Sequence, residues 1–403
     1  MKQMNALVVK FALAMLFALA GATVAWAEPL FVGYYPDWGK WMSPSYTVDK
    51  VPYAKLTHVL WSFVSPNEDG SLRGDAVDDP TDLDKMVELA HKAGTKVVLS
   101  LGGGGLCENF AAVTADDNLR AKFVAALMEF VKAHDLDGLD MDWETPENET
   151  QTANFDKLIS ELRAALPQGK TLSAALPCSD WNGKHFNAET LVENLDWLGF
   201  MTYDITGDWD EKARFDSPLY PNVSNGWTTW SWKQTAQYWA GRGVPASKMV
   251  FGIPMFGFVF DGATGPGTDF TKGTYTSYAK IVAQEGWTFH FDDVSMEPYA
   301  VGDNKFATFE DPHSAAIKSR WVKENNYAGI LVWEVSQDYT DGTEQPILDS
   351  IAVALRGETS TTIRPVRKAR SAGGATSGVK VDVLGHKVRG ERPIILLDIG
   401  RKR

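Results

Sequence analysis

Three acidic side chains that alternate along one short apolar segment have the clearest potential for chemistry in this sequence. Asp140, Asp142 and Glu144 are each separated by a single apolar residue. Alternate side chains of a β-strand lie on the same face, so the three carboxylates share one face, with neighbours about 7 Å apart. Burial and mutual repulsion raise the pKa of at least one of them, which leaves a protonated carboxylic acid near neutral pH. The spacing therefore predicts a general acid.

Two other interpretations of these carboxylates are less favourable. As plain scaffold, three buried carboxylates without partners would cost several kcal/mol. A calcium loop is the second alternative, because D-x-D-x-E resembles the spacing of its ligands. The sequence has no glycine at the sixth position of such a loop and no glutamate at the twelfth. We therefore expect neither a metal ion nor a cofactor.

Eight short apolar runs, separated by polar segments of helical period, must position these acids. The predicted strands cover residues 30–35, 56–64, 96–101, 138–144, 171–177, 197–203, 249–256 and 328–335. Parallel strands that are apolar on both faces are typical of a closed (β/α)8 TIM barrel, which is the predicted α/β fold. Catalytic groups of such barrels lie at the carboxyl ends of the strands, and Glu144 ends the fourth predicted strand.

The spacing of the last two runs predicts an additional element. About 70 residues separate them, which is more than a crossover helix needs. We predict a short α+β insertion at about 261–306, within a catalytic domain that covers residues 28–357. A complete barrel of this kind is expected to be a monomer.

The two ends of the chain differ in character from this domain. Lys2 and Lys10 flank the start of an apolar run at 11–24, and small residues precede position 28, which predicts a signal peptide at 1–27. An uncleaved anchor is the alternative, but 14 apolar residues are fewer than the ~20 that span a bilayer. Residues 358–378 are a predicted linker, and the basic tail at 379–403 is a possible sorting or attachment segment that engages secretion or cell-surface machinery. We predict a protein that is secreted or held at the cell surface.

The composition limits the possible partners. The chain has 52 acidic and 39 basic side chains, so its average surface repels nucleic acids. Its 15 Trp, 12 Tyr and 20 Phe residues can form core or stacking platforms for ligand rings. Cys107 and Cys178 could form one disulfide in an oxidising compartment, and the sequence leaves this pairing open.

One segment resembles the signature of a known enzyme family. Residues 137–144 read D-G-L-D-M-D-W-E and resemble the D-G-x-D-x-D-x-E signature of glycoside hydrolase family 18, the chitinase family. Further segments resemble the family in chain order: Gly33-Tyr34-Tyr35, Ser100-Leu101-Gly102-Gly103, Met201-Thr202-Tyr203-Asp204 and Trp333. The resemblance covers about residues 30–355.

The resemblance implies a retaining mechanism in which the substrate supplies the nucleophile. Glu144 would protonate the glycosidic oxygen while the 2-acetamido carbonyl attacks the anomeric carbon and forms an oxazolinium ion. Asp142 would hold the acetamido N–H, and Asp140 would share a proton with Asp142. Tyr203 would hydrogen-bond the acetamido carbonyl. The resemblance also implies substrate-binding or supporting roles for Tyr34, Ser100, Met201, Asp204, Trp209 and Trp333.

Two departures from the family pattern concern the substrate. Gly104 and Gly105 stand where many family members have a Trp, so a stacking platform on the leaving-group side is expected to be missing. Phe256 and Phe258 stand at the places of a common Tyr and Arg, which makes a sugar-binding Arg doubtful.

The leading hypothesis is therefore an exported hydrolase of β-1,4-linked N-acetylglucosamine polymers, chitin or chitooligosaccharides. A family member that acts on peptidoglycan or N-glycans is the alternative within the enzyme class. A chitin-binding, lectin-like protein is the alternative outside it, and it would not need the acid Glu144.

Overall fold

Eight parallel β-strands close into a ring that is surrounded by helices. The computed structural model describes residues 28–222, 230–340 and 342–356; the predicted signal peptide, linker and tail lie outside the described residues. The strands are β1 (Leu30–Pro36), β2 (His58–Pro66), β3 (Leu72–Arg73), β4 (Lys96–Gly102), β5 (Gly138–Asp142), β6 (Thr171–Pro177), β7 (Trp197–Met201), β8 (Met249–Pro254), β9 (Phe256–Asp261), β10 (Lys272–Ser277), β11 (Thr288–Asp292), β12 (Glu297–Gly302), β13 (Lys305–Phe309) and β14 (Gly329–Trp333). The α-helices are Asp75–Asp78, Thr81–Ala93, Phe110–Ala115, Asp117–Ala133, Glu149–Ala165, Asp180–Gly183, Ala188–Asn194, Trp232–Gly241, Tyr278–Ala283, Pro312–Glu324 and Pro346–Arg356. None of these described helices combines the length and the apolar character needed to cross a membrane.

The strand order confirms the predicted (β/α)8 barrel. Neighbouring strands follow the order β1, β14, β8, β7, β6, β5, β4 and β2, and parallel pairing of β1 with β2 closes the ring. The short strand β3 pairs antiparallel with the end of β2. All parallel strands place their carboxyl ends at the same mouth of the barrel, so the loops that follow them share one surface.

Several barrel strands end about two residues earlier than predicted. Strands β5, β7, β8 and β14 end at Asp142, Met201, Pro254 and Trp333. The apolar runs continue past these points, but the residues there no longer pair with the neighbouring barrel strands. Glu144 and Tyr203 therefore lie just beyond strand ends, rather than inside strands as predicted.

An apolar cluster fills the inside of the barrel and continues into the insertion. Its buried members include Val32, Leu60, Val98, Val250 and Leu331 from barrel strands, and Phe258, Phe260 and Phe306 from the inserted strands. The insertion thus shares its core with the barrel.

The insertion is a five-stranded antiparallel sheet, which we call the lobe. Its strand order is β10, β9, β13, β12 and β11, and helix Tyr278–Ala283 follows β10. The lobe sheet runs from Phe256 to Phe309, so it is wider than the predicted 261–306. The apolar run 249–260 shows no change of period where β8 ends and β9 begins, which is why the sequence did not reveal this boundary.

Four fully buried charged side chains lie where the lobe meets the barrel. Lys318 forms ion pairs with Glu297, at 3.0 Å, and with Glu310. Asp216 lies beside them, and within the described residues neither of its carboxylate oxygens has a hydrogen-bond partner. Burial raises the pKa of Asp216 well above its ordinary value, and repulsion by Asp204, Glu297 and Glu310 adds to the rise. One ammonium faces three carboxyls here, and Asp216 is the one of the three that is not ion-paired to Lys318, so its neutral form is favoured.

This cluster predicts a pH-dependent stability. A carboxyl whose pKa is raised by folding destabilises the fold as the pH rises above its unfolded pKa, because the unfolded chain releases a proton that the folded chain keeps. We expect Asp216→Asn to raise the Tm by about 1–3 °C at pH 8. The gain should shrink at pH 4, close to the ordinary pKa of an aspartate, where both states hold the proton more equally. Thermal unfolding of the two proteins at both pH values measures this, and a gain equal at both pH values would contradict it.

Candidate active site

Asp140 is the most deeply placed of the acidic side chains. Its Oδ2 accepts hydrogen bonds from Tyr34 Oη at 2.9 Å and from Ser100 Oγ at 2.8 Å, and its Oδ1 accepts one from Ser173 Oγ at 2.7 Å. Ser100 and Ser173 are the direct register partners of Asp140 on β4 and β6. Burial raises the pKa of Asp140, whereas the three hydroxyl donors lower it and favour the carboxylate.

Asp142, one pleat further along β5, has a different environment. It is 4% exposed, and within the described part of the chain its Oδ1 has no hydrogen-bond partner. Burial raises the pKa of Asp142 well above its ordinary value, and repulsion by Glu144 and Asp140 adds to the rise. Asp140 has three hydroxyl donors and Asp142 has an oxygen without one, so the surroundings favour the charged form of Asp140 and the neutral form of Asp142.

Glu144 lies at the mouth of the barrel. Its side chain is exposed, yet the surrounding protein atoms displace enough water to raise the pKa of its carboxyl. Its backbone N–H donates to Cys107 Sγ at 3.3 Å, and the same sulfur lies 3.4 Å from the carbonyl oxygen of Asp142. Cys107 thus connects the loop after β4 to the segment that carries Asp142 and Glu144, and neither Cys107 nor Cys178 is in a disulfide. An accessible carboxyl with a raised pKa suits a general acid.

The glycines after β4 let this loop approach the acids closely. Gly102 has a φ of +107°, and a Cβ at this position would lie 2.4 Å from the carbonyl oxygen of Asp142. A Cβ on Gly104 would lie 3.7 Å from Glu144 Oε1 and touch nothing closer. The surface next to the acid is therefore bare backbone, in agreement with the missing platform predicted at Gly104.

Tyr203 and Asp204 follow the end of β7. Tyr203 is buried, and its ring packs against Gly252 on β8 and edge-on against Phe256, with the two ring centroids 5.7 Å apart. Burial is the main reason why the pKa of Tyr203 is raised. The negative charges of Asp142, Asp204 and Glu144 raise it further, so these groups lie near one another. Asp204 is exposed at the surface, yet desolvation by the surrounding protein atoms and then repulsion by Glu144 raise the pKa of its carboxyl to about 7.

The contact between Tyr203 and Gly252 gives a prediction. A Cβ on Gly252 would lie 2.6 Å from Tyr203 Cε1, so Gly252→Ala must displace the ring. We expect kcat on N-acetylglucosamine oligomers to fall by about 10-fold or more, because small displacements of a positioning group are costly. Gly241→Ala is the matched control, since nothing lies within 4 Å of a Cβ there. Equal steady-state rates for the two variants would contradict the prediction.

Trp333 ends β14 and forms an aromatic surface at the mouth. Phe63 stacks on it at 5.6 Å between centroids, Tyr34 meets it edge-on at 5.6 Å, and Trp38 lies at 6.3 Å. Trp333 is only half-buried, so part of its indole is available to a ligand. Tyr34 therefore connects this surface to Asp140.

The remaining predicted residues lie further out. Met201 is the last residue of β7 and is half-buried. Trp209 is 62% exposed and packs edge-on against Phe258 at 5.8 Å, so it stands on the lobe side of the cleft. Phe256, which has no polar group for a sugar, is covered by Tyr275 of β10, stacked at 4.4 Å.

Residues 30–338 match the sequence profile of Glycosyl hydrolases family 18. The chain belongs to this family. The predicted resemblance is thereby confirmed over most of the barrel and the lobe.

Relatives in family 18 include an endochitinase of Manduca sexta, 27% identical, with 81% of this chain and 66% of the relative aligned. Endochitinase 1 of Metarhizium robertsii is 28% identical over 75% of this chain and 80% of its own length. The chain spans 66% of the Manduca sexta protein and 60% of a probable endochitinase of Caenorhabditis elegans. Among solved structures, Ostrinia furnacalis Group II chitinase catalytic domain 2 has a TM-score of 0.78 and 27% identity, covering 83% of this chain and 98% of that domain.

The family 18 site contains residues that the sequence reasoning missed. Ser173 is the third hydroxyl donor to Asp140. The only indication of this role in the sequence is that Ser173 is a small polar residue inside the apolar run that forms the strand next to β5. Phe63 and Trp38 extend the aromatic surface of Trp333, and a single aromatic residue near a strand end carries no signal of that role. Among the described residues, no group of His, Cys, Asp and Glu side chains is placed to hold a metal ion.

Proposed function

We propose that this protein is a secreted glycoside hydrolase that cleaves β-1,4 bonds of N-acetylglucosamine polymers with retention, using the substrate's own acetamido group as nucleophile. The observation that carries this proposal is that Glu144, Asp142 and Tyr203 lie close together at the carboxyl ends of β5 and β7, each with a raised pKa. The second carboxylate of an ordinary retaining enzyme would attack the sugar itself. Here the second carboxyl, Asp142, is buried behind the acid and suits a supporting role.

In the first step, Glu144 donates its proton to the glycosidic oxygen and the leaving group departs as an alcohol. The acetamido carbonyl oxygen forms the new bond to the anomeric carbon, which yields an oxazolinium ion. A water molecule then attacks that carbon, the bond between the carbon and the acetamido oxygen breaks to restore the acetamido group, and Glu144 takes a proton from the water and returns to the acid form. Two inversions at one carbon leave the configuration unchanged.

Asp142 and Tyr203 orient the nucleophile in this proposal. Asp142 accepts a hydrogen bond from the acetamido N–H and balances the positive charge that develops on the oxazolinium ring. Its proton passes towards Asp140, whose three hydroxyl donors stabilise the pair. The Tyr203 hydroxyl donates to the acetamido carbonyl and sets its angle of attack.

Three further observations support the choice of substrate and location. A variant of the Ostrinia furnacalis domain, 26% identical to this chain, was solved in complex with penta-N-acetylchitooctaose, (NAG)5. Trp333 and Trp209 offer partly exposed indoles on which sugar rings can stack. The apolar run at 11–24 supports export of the protein.

The test uses the purified full chain on N-acetylglucosamine oligomers and on peptidoglycan, with NMR of the first products to read their anomeric form. Initial β-anomers from the oligomers would support the proposal, and initial α-anomers would overturn retention. If only peptidoglycan is cut, the substrate assignment is wrong. If neither is cut while wild type and Glu144→Gln bind chitin equally, the protein is a binding protein.

A further inference from the structure

Ser217, which is fully buried in the segment after β7, joins several parts of the molecule. Its Oγ donates to the carbonyl oxygen of Thr202 at 2.6 Å and accepts from Trp232 Nε1 at 3.0 Å. Its backbone N–H donates to Glu297 Oε1 at 3.2 Å, and its carbonyl oxygen accepts from Lys318 Nζ. All its hydrogen-bonding groups are thus engaged, by a barrel loop, the lobe and two helices.

The partner of the Ser217 hydroxyl is the residue immediately before Tyr203. Thr202 Oγ1 donates to the carbonyl oxygen of Gly252 at 2.8 Å and accepts from the Gly252 N–H at 2.9 Å. The Thr202 side chain is therefore fixed to β8, and its carbonyl is fixed to Ser217. Gly252 is also the surface on which the Tyr203 ring rests. The orientation of Tyr203 depends on these two attachments of its neighbour.

The buried charges hold Ser217 itself in place. Lys318 binds Glu297 and Glu310 and lies 5.4 Å from the centroid of the Trp232 ring, and its side chain is fully buried. Charged hydrogen bonds in such a dry environment are stronger and better defined than those of neutral groups in water. Glu297 belongs to the lobe strand β12, so the lobe supplies one of the groups that hold Ser217.

We propose that Ser217 is a positioning residue for Tyr203: held by Lys318 and Glu297, it fixes the Thr202 carbonyl and thereby the tyrosine hydroxyl against the acetamido group of the substrate. This inference rests on the proposed function. Ser217 does not touch the substrate, and it acts only through the backbone that carries Tyr203.

A double-mutant cycle tests this role. Ser217→Ala removes the hydroxyl and leaves both backbone contacts, so it is milder than any change of Lys318, which would leave buried carboxylates without a counter-ion. We expect Ser217→Ala to lower kcat on N-acetylglucosamine oligomers by about 10-fold with little change in KM. In the Tyr203→Phe background the same change should have almost no effect on kcat, because the hydroxyl that it positions is absent.

Thr114→Ala is the matched control, since it deletes another fully buried hydroxyl, bonded to the Phe110 carbonyl oxygen at 2.7 Å, in a helix outside the barrel. It should lower the Tm without lowering kcat at 25 °C. A Ser217→Ala effect of the same size in both Tyr203 backgrounds, or no effect on wild type, would overturn the inference. Absence of oligomer hydrolysis by wild type would instead overturn the proposed function, so the two failures are distinguishable.

Discussion

Glu144→Gln is expected to lower kcat on N-acetylglucosamine oligomers by about 10³-fold or more, with KM little changed. Glutamine has nearly the same shape but cannot release a proton to the leaving oxygen. The carboxyl of Glu144 suits this task because the surrounding protein atoms raise its pKa, which favours the protonated form that can donate. Activity should therefore fall as the pH rises through this raised pKa, since the donor is then lost.

Glu147→Gln is the matched control for this experiment. Glu147 lies three residues further along the same loop and is exposed to solvent, so its neutralisation should leave kcat unchanged. Initial rates of the two variants and wild type across a pH series provide the measurement. Full activity of Glu144→Gln would exclude Glu144 as the acid.

Asp142→Asn is expected to lower kcat by about 10²-fold, the second largest effect. The change removes the negative charge that is needed when the oxazolinium ion forms in a site with little water. It also removes the proton exchange with Asp140, whose three hydroxyl donors already favour its charged form. The folded protein should become no less stable, because the pKa of Asp142 is raised and the neutral amide avoids the cost of burying that charge.

Asp303→Asn is a suitable control, since Asp303 lies in the exposed turn between β12 and β13 with a φ of +48° that asparagine also adopts. Values of kcat, KM and Tm for both variants give the comparison. Unchanged kcat in Asp142→Asn would show that Asp142 does not take part in the reaction. A parallel loss of kcat and Tm would assign it a structural role only.

The alternation of acids along β5 allowed part of the site to be predicted from the local sequence pattern. Asp140 and Asp142 share one face of the strand, as a period of two requires, and both pKa values are raised by burial. Glu144 lies beyond the end of β5, where the period no longer applies, and it is exposed. Its exposure makes it accessible to a ligand, so the proposed general acid has a different local structure from the one expected.

The hydrogen-bond donors to Asp140 could be predicted only in part from the local sequence pattern. Tyr34 and Ser100 were expected beside it through the family resemblance, and both donate to Oδ2. Ser173 supplies the donor to Oδ1, from a strand 33 residues away in the sequence. Only the register between β5 and β6 brings it there, and register depends on the closure of the whole barrel.

By itself, the sequence determined the (β/α)8 class, because apolar runs of strand length recur at crossover spacing, and it determined which acids share the site, because the side-chain period of a strand is local. The tertiary structure alone decided where the strands end, how far the lobe extends, and that Lys318, Glu297 and Asp216 meet behind Tyr203. Those features depend on contacts between residues far apart in the chain, where burial and charge are set by three-dimensional neighbours. For these three charged residues, unlike the alternating acids of β5, the local sequence did not indicate that they would be enclosed.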